Sequence, residues 1–336
     1  LQRTCRRANR HSSHTTHAAC STRSARGLRL TGRFVFCFGT SMETIHQFIQ
    51  AGVAAGYLPA MLQYGFVINA LLAGSMLGPL LGGLGVLVVV KRFAFFSEAV
   101  GHAALTGIAI GVLLGEPHGS PYGGLFGYCV LFALLMNYLR NRTGLAPDAL
   151  IGVFLSVSLA LGSSILMALA ARINIHILEN VLFGSVLTID GNDLLILLLI
   201  TLAALVCLFF IYNQSMLASF HPQLALVRKV PVVWVDYVFV VLVTLVTVAA
   251  VKIIGAILVG ALLVIPAAAA RLLARSICGF FWLTVAFASF STLAGIAVPI
   301  ACDIPVPSGG AIILTAGILF ALSVLLGKSR QQTQNR

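Results

Sequence analysis

Charge is what this sequence has least of. Asp, Glu, Lys and Arg make up 9% of its 336 residues while 59% are hydrophobic, against about a quarter charged in a soluble globular protein. That balance excludes a soluble domain and points to an integral membrane protein. Clustered cysteine is also lacking. Cys5, Cys20, Cys37, Cys129, Cys207, Cys278 and Cys302 form no Cys-x-x-Cys and no zinc-like group, and most stand singly in apolar runs, where they read as packing. Cys302, beside Asp303 near an expected helix end, is the one to check. There is no G-x-x-x-x-G-K-[ST] phosphate loop, no G-x-G-x-x-G, no H-E-x-x-H and no G-x-S-x-G. By these signs the chain hydrolyses neither ATP nor a peptide by itself and is not an enzyme.

Acidic residues are absent from 1–41, where Arg3, Arg6, Arg7, Arg10, Arg23, Arg26, Arg29 and Arg33 carry most of the formal net charge of +12. The segment has no apolar h-region that would make it a secretory signal. Arg-rich, Ser-rich and acid-free is the composition of an organellar transit peptide and also of translated sequence upstream of a start. The change of composition at Met42 favours a start there. His11, His14 and His17 in this tail read as part of a disordered segment rather than as a metal site. The expected division is a basic tail at 1–41, a lead-in at 42–59 ending at Pro59, a transmembrane domain at 60–327 and a short tail at 328–336.

What the chain has in abundance is long apolar runs. Charge-poor stretches at 61–90, 95–114, 122–139, 148–171, 194–212, 232–251, 253–273, 279–300 and 311–326 are long enough for membrane helices. They predict an all-α polytopic protein of about eight to nine spans. Asp148 after Pro147 reads as a helix cap. Residues 172–193 are less apolar and read as a connection with a short interfacial or re-entrant helix, in which His176 and Glu179 are a solvated loop pair. Asp236 lies near the start of span six. Basic residues follow spans one, three, five, seven and nine, which by the positive-inside rule puts the C-terminus in the cytoplasm.

One span carries ionisable groups in its interior. Glu98 and His102 lie four apart in Phe95-Phe96-Ser97-Glu98-Ala99-Val100-Gly101-His102-Ala103-Ala104-Leu105-Thr106-Gly107, so both fall on one helical face. Ionisable groups inside a span face the bundle interior or a wet cavity and mark ion pathways. The bland alternative is an interfacial Glu98 reaching back to water with His102 as its hydrogen-bond partner. The small residues around them let neighbouring backbones come close, which predicts a central helix. A carboxylate plus an imidazole, with no thiolate, suits zinc, manganese or ferrous iron. Two ligands make a weak site, as passage requires, because the ion must also leave.

The run from Lys91 to Gly107 resembles the signature helix of the ABC-3 family, the permease subunits of bacterial zinc, manganese and iron importers. Asp148-Ala149-Leu150-Ile151-Gly152 with Ala160-Leu161-Gly162, then Leu182-Phe183-Gly184-Ser185, then the run from Gly255 to Arg271 agree in order and spacing. The resemblance covers about 60–327. It implies a type II importer-like permease in the bacterial cytoplasmic (inner) membrane that moves zinc or manganese, with iron as a further cargo, by alternating access. It implies no permanently bound cofactor. It also implies a homodimer or paired permease, cytoplasmic ABC ATPase subunits and an extracytoplasmic metal-binding protein. Lipid is the expected surround, and no nucleic-acid partner is expected. The family's Asp and His of the metal path correspond to Glu98 and His102, the carboxylate arm here being one methylene longer. Phe220, His221, Pro222, Leu224 and Ala225 correspond to the ATPase-contacting loop, where the family has Asp before the Pro and Gly near Lys229. An ion-coupled secondary carrier with Glu98 and His102 as a proton relay is the competing reading. It predicts uptake by the chain alone.

Overall fold

The computed structural model of the chain describes residues 62, 64–116, 122–169, 191–302 and 308–334. The basic tail, the lead-in, His176, Glu179, the Leu182–Ser185 motif and Asp303 lie outside the described residues. Within them the chain is all helical, with no strand. In order the helices are α1 (Gly65–Val90), α2 (Phe96–Leu113), α3 (Tyr122–Thr143), α4 (Pro147–Leu169), α5 (Gly191–Phe220), α6 (Pro222–Val227), α7 (Val232–Ile254), α8 (Ala256–Leu273), α9 (Ile277–Ala301) and α10 (Ser308–Gln334). Eight of them are long and apolar enough to cross a membrane, and α8 is a shorter apolar helix at the seventh expected span. Nearly all backbone polar groups of such a chain must be satisfied inside each helix, since hydrocarbon offers no partner.

Packing runs through small residues, because lipid tails supply no hydrophobic drive between helices. A Cβ on Gly78 would lie 2.8 Å from Ser289 Cα and one on Gly82 would lie 2.9 Å from Val285 Cα, so α1 and α9 meet backbone to backbone. A Cβ on Gly85 would collide with the Leu263 carbonyl of α8. α2 packs against α3, α4, α7 and α8. A Cβ on Gly107 would stand 2.9 Å from the Gly124 carbonyl oxygen, and Thr106 Oγ1 donates to the Ser158 carbonyl at 2.8 Å, which fixes α2 on α3 and α4. Large exposed apolar side chains such as Met167, Phe209, Phe210 and Trp282 belong to α4, α5 and α9, the outer helices.

Several boundaries differ from the sequence expectation, among them that of α10, which runs to Gln334, past the expected end at 326 and into the expected tail. α5 continues to Phe220, past the expected end at 212. Ser219 Oγ in its polar end folds back onto the Ser215 carbonyl at 2.8 Å, and no proline interrupts it before Pro222. α3 runs through Arg140 to Thr143, where cations favour the negative end of the helix dipole. Pro147 takes the first helical position of α4, as proline does without losing a needed donor. Asp148 is therefore in the first turn, where its charge complements the dipole, and is not the cap.

Candidate functional site

Glu98 and His102 lie on α2, Glu98 in its first turn. Most of that helix is sealed: Ala99, Val100, Ala103 and Ala104 are fully buried. α8 closes on it, for a Cβ on Gly101 would be 3.1 Å from Ala256 Cβ and one on Gly260 would be 3.6 Å from Glu98 Cβ. With the backbone covered there, the Glu98 side chain turns to the exposed side together with Phe95, and His102 is half-buried behind it. No hydrogen bond between Glu98 and His102 forms. His102 Nδ1 is shut off from solvent and has no hydrogen-bond partner, a costly condition for a buried polar atom. Among the described residues no three His, Cys, Asp or Glu side chains come together as a metal-binding group. One bundle therefore offers a carboxylate and an imidazole on an open face and no third ligand beside them.

Just before α2 lies a very different arrangement of charge. Asp236, in the second turn of α7, is 9% exposed at its side chain, and Lys91, the residue that ends α1, is 7% exposed. Lys91 Nζ stands 2.5 Å from Asp236 Oδ1, and Arg140 Nη2 of α3 stands 2.7 Å from Asp236 Oδ2. Both carboxylate oxygens are taken. Aromatic rings wrap the triad: Lys91 Nζ is 5.2 Å from the centre of the Phe239 ring and Arg140 Cζ is 4.9 Å from that of Phe93. Buried charges need such pairing, because each alone would carry a desolvation penalty of several kcal/mol. Sequence reasoning missed this group. It read Lys91 and Arg140 as span-ending surface charges, whereas both turn inward onto a carboxylate far along the chain. The signal available was a lone Asp inside an otherwise uncharged stretch of span six.

The same end of the bundle carries α6. His221 and Pro222 are exposed, Phe220 and Leu224 are exposed apolar groups, and Ala225 is fully buried within the chain. Leu226 and Val227, 72% and 79% exposed, complete an outward apolar surface. α6 closes in a Schellman turn, with Val230 N donating to the Ala225 carbonyl at 3.0 Å and Lys229 N to that of Leu226 at 3.0 Å. Lys229 takes φ 53° there, the left-handed position where glycine is usual. At the opposite end Tyr122 Oη donates to Asp193 Oδ1 at 2.6 Å and Gly124 N to Glu116 Oε2 at 3.3 Å, tying α3 to α5 and to the end of α2.

The profile of the ABC 3 transport family matches residues 63–327. The manganese transport system membrane protein MntC of Halalkalibacterium halodurans is 32% identical over 267 residues, which cover 80% of this chain and 89% of that protein. The high-affinity zinc uptake system membrane protein ZnuB of Haemophilus influenzae is 27% identical over 255 residues, covering 76% of this chain and 95% of the relative. Among solved structures, PsaBC from Streptococcus pneumoniae in complex with Fab superimposes with a TM-score of 0.67 at 28% identity, over 78% of this chain and 91% of the matched one. The chain belongs to the ABC 3 transport family.

Proposed function

We propose, from that membership, that the chain is the permease subunit of an ATP-driven importer of manganese or zinc, with ferrous iron as a further cargo. The observation that carries the reading is the face of α2 on which Glu98 is exposed and His102, one turn on, is half-buried. A carboxylate and an imidazole bind these ions and leave the choice among them to geometry. A second copy facing the first across this strip would supply a matching pair and make up a four-donor site between subunits. Such a site is weak enough to release the ion onward.

In this reading the end bearing Lys91, Arg140 and α6 faces the cytoplasm of a bacterial inner membrane, the C-terminus lies on the same side, and an ATPase subunit seats on Phe220, His221, Pro222, Leu224, Leu226 and Val227. An extracytoplasmic metal-binding protein delivers the ion at the other end, near Glu116 and Asp193. The ion passes to Glu98 and His102, and ATP-driven closure of the ATPase pair shifts the permease between two shapes. Only the ATPases' differential affinity for those shapes can supply the drive.

The test is ATP-dependent uptake of radioactive manganese and zinc, in competition, by the chain reconstituted with its ATPase and binding protein. Saturable uptake of one ion that requires ATP is expected. Uptake by the chain alone under a pH gradient would instead make it a proton-coupled carrier.

A further inference from the structure

We propose that Asp236 is a positioning residue for transport, which through Lys91 ties the first turns of α7 to the turn carrying the Glu98 helix, so that movement of α6 reaches the metal site. This rests on the reading of α6 as the ATPase seat and of Glu98 as part of the ion path. The connection can be followed atom by atom. The Schellman turn after α6 is locked by the Val230 and Lys229 amides, and α7 begins directly afterwards at Val232. One turn further on, Asp236 grips Lys91 and Arg140. Lys91 opens a second Schellman turn, with Phe93 N donating to the Val88 carbonyl at 2.9 Å and Arg92 N to that of Val89 at 3.2 Å. Arg92 holds φ 57° there. Phe96 N donates to the Phe93 carbonyl at 3.0 Å, and α2 starts at once, with Glu98 in its first turn.

Two locked turns joined by one buried ion pair make a stiff link with no free loop in it. The surroundings keep it stiff. Phe93 packs edge-on against Phe96 at 5.8 Å and Phe239 at 6.2 Å between ring centres, and all three rings are buried. The Lys91 and Asp236 side chains are 7% and 9% exposed, so parting these two charges is disfavoured more than at a surface. Helix ends joined in this way move as one body, the condition under which a displacement passes between sites. The two arms of Asp236 are not equivalent. Lys91 itself ends α1 and opens the turn into α2, whereas Arg140, at the end of α3, reaches that turn only through its contact with the Phe93 ring.

Lys91→Met and Arg140→Met separate the two cases, because each leaves Asp236 with one cation. The full complex of chain, ATPase and binding protein in nanodiscs is measured in two ways: amide exchange of residues 93–100, and metal transported per ATP hydrolysed. Lys91→Met should speed exchange in that segment and lower transport per ATP by about tenfold, with ATP hydrolysis retained, while Arg140→Met, whose thioether can still pack on the Phe93 ring, stays within about twofold of the unaltered chain on both. Lys91→Gln, which can still donate to Asp236, provides a milder variant in case Lys91→Met does not accumulate, and should lie between the two. Equal effects of the Lys91 and Arg140 variants, or transport and hydrolysis falling in the same proportion, would overturn the proposal. Absence of manganese or zinc uptake by the unaltered chain would instead overturn the functional reading, and the exchange comparison would still decide the link.

Discussion

Two charged regions on either side of the turn into α2 obey opposite rules. At Lys91, Arg140 and Asp236 every charge is matched, Lys91 and Asp236 are buried at their side chains and Arg140 is 21% exposed, both carboxylate oxygens are occupied, and aromatic rings complete the shell. At Glu98 and His102, in the first two turns of the same helix, the carboxylate is exposed and a ring nitrogen has no partner. A membrane protein can hold ionisable groups in either way, and the difference separates their uses. A saturated group has no free valence for a cargo and serves to hold helices together. An unsaturated one costs stability and leaves donor atoms for an ion or a second subunit.

The contrast can be broken first at its saturated end. Asp236→Ala leaves two cations buried without a carboxylate and should destabilise the chain by about 3–5 kcal/mol, seen as a marked fall in melting temperature in detergent. Glu98→Ala and His102→Ala should do the reverse, leaving the melting temperature unchanged and lowering ATP-dependent metal uptake by about 100-fold or more. An equal loss of stability at both ends would erase the distinction. Glu98→Asp sharpens it, since the shorter arm keeps the charge: uptake should persist within about tenfold, with a changed preference between manganese and zinc in competition. The smallest effect is expected at Lys229→Gly, which relieves a left-handed φ and should raise stability by up to about 1 kcal/mol without altering metal binding.

Much of the architecture was legible in the sequence because membrane helices announce themselves by length and apolarity, and nine runs correspond to nine apolar helices. The close packing of α2 was legible too, for Gly101 and Gly107 signal close backbones and the structure sets Ala256 and Gly124 against them. The boundaries at 212 and 139 fell short because α5 continues through polar residues until Pro222 follows it, and because arginines suit the C-terminal end of α3. The Asp236 triad was illegible for a different reason. Its partners are 145 and 96 residues away in the chain, and positive residues at span ends are read as orientation signals, which conceals that two of them point inward. Nor did spacing reveal that Glu98 and His102 make no bond to each other: four residues apart puts two side chains on one face, while rotamers and the approach of α8 decide whether they meet.

The most direct measurement is equilibrium binding of manganese and zinc to the purified chain, by calorimetry, for the unaltered protein, Glu98→Ala, His102→Ala and Lys91→Met. Binding that is lost in the first two variants and kept in Lys91→Met is the predicted result. Binding that survives in Glu98→Ala and His102→Ala would contradict the claim that the unsaturated face of α2 holds the ion.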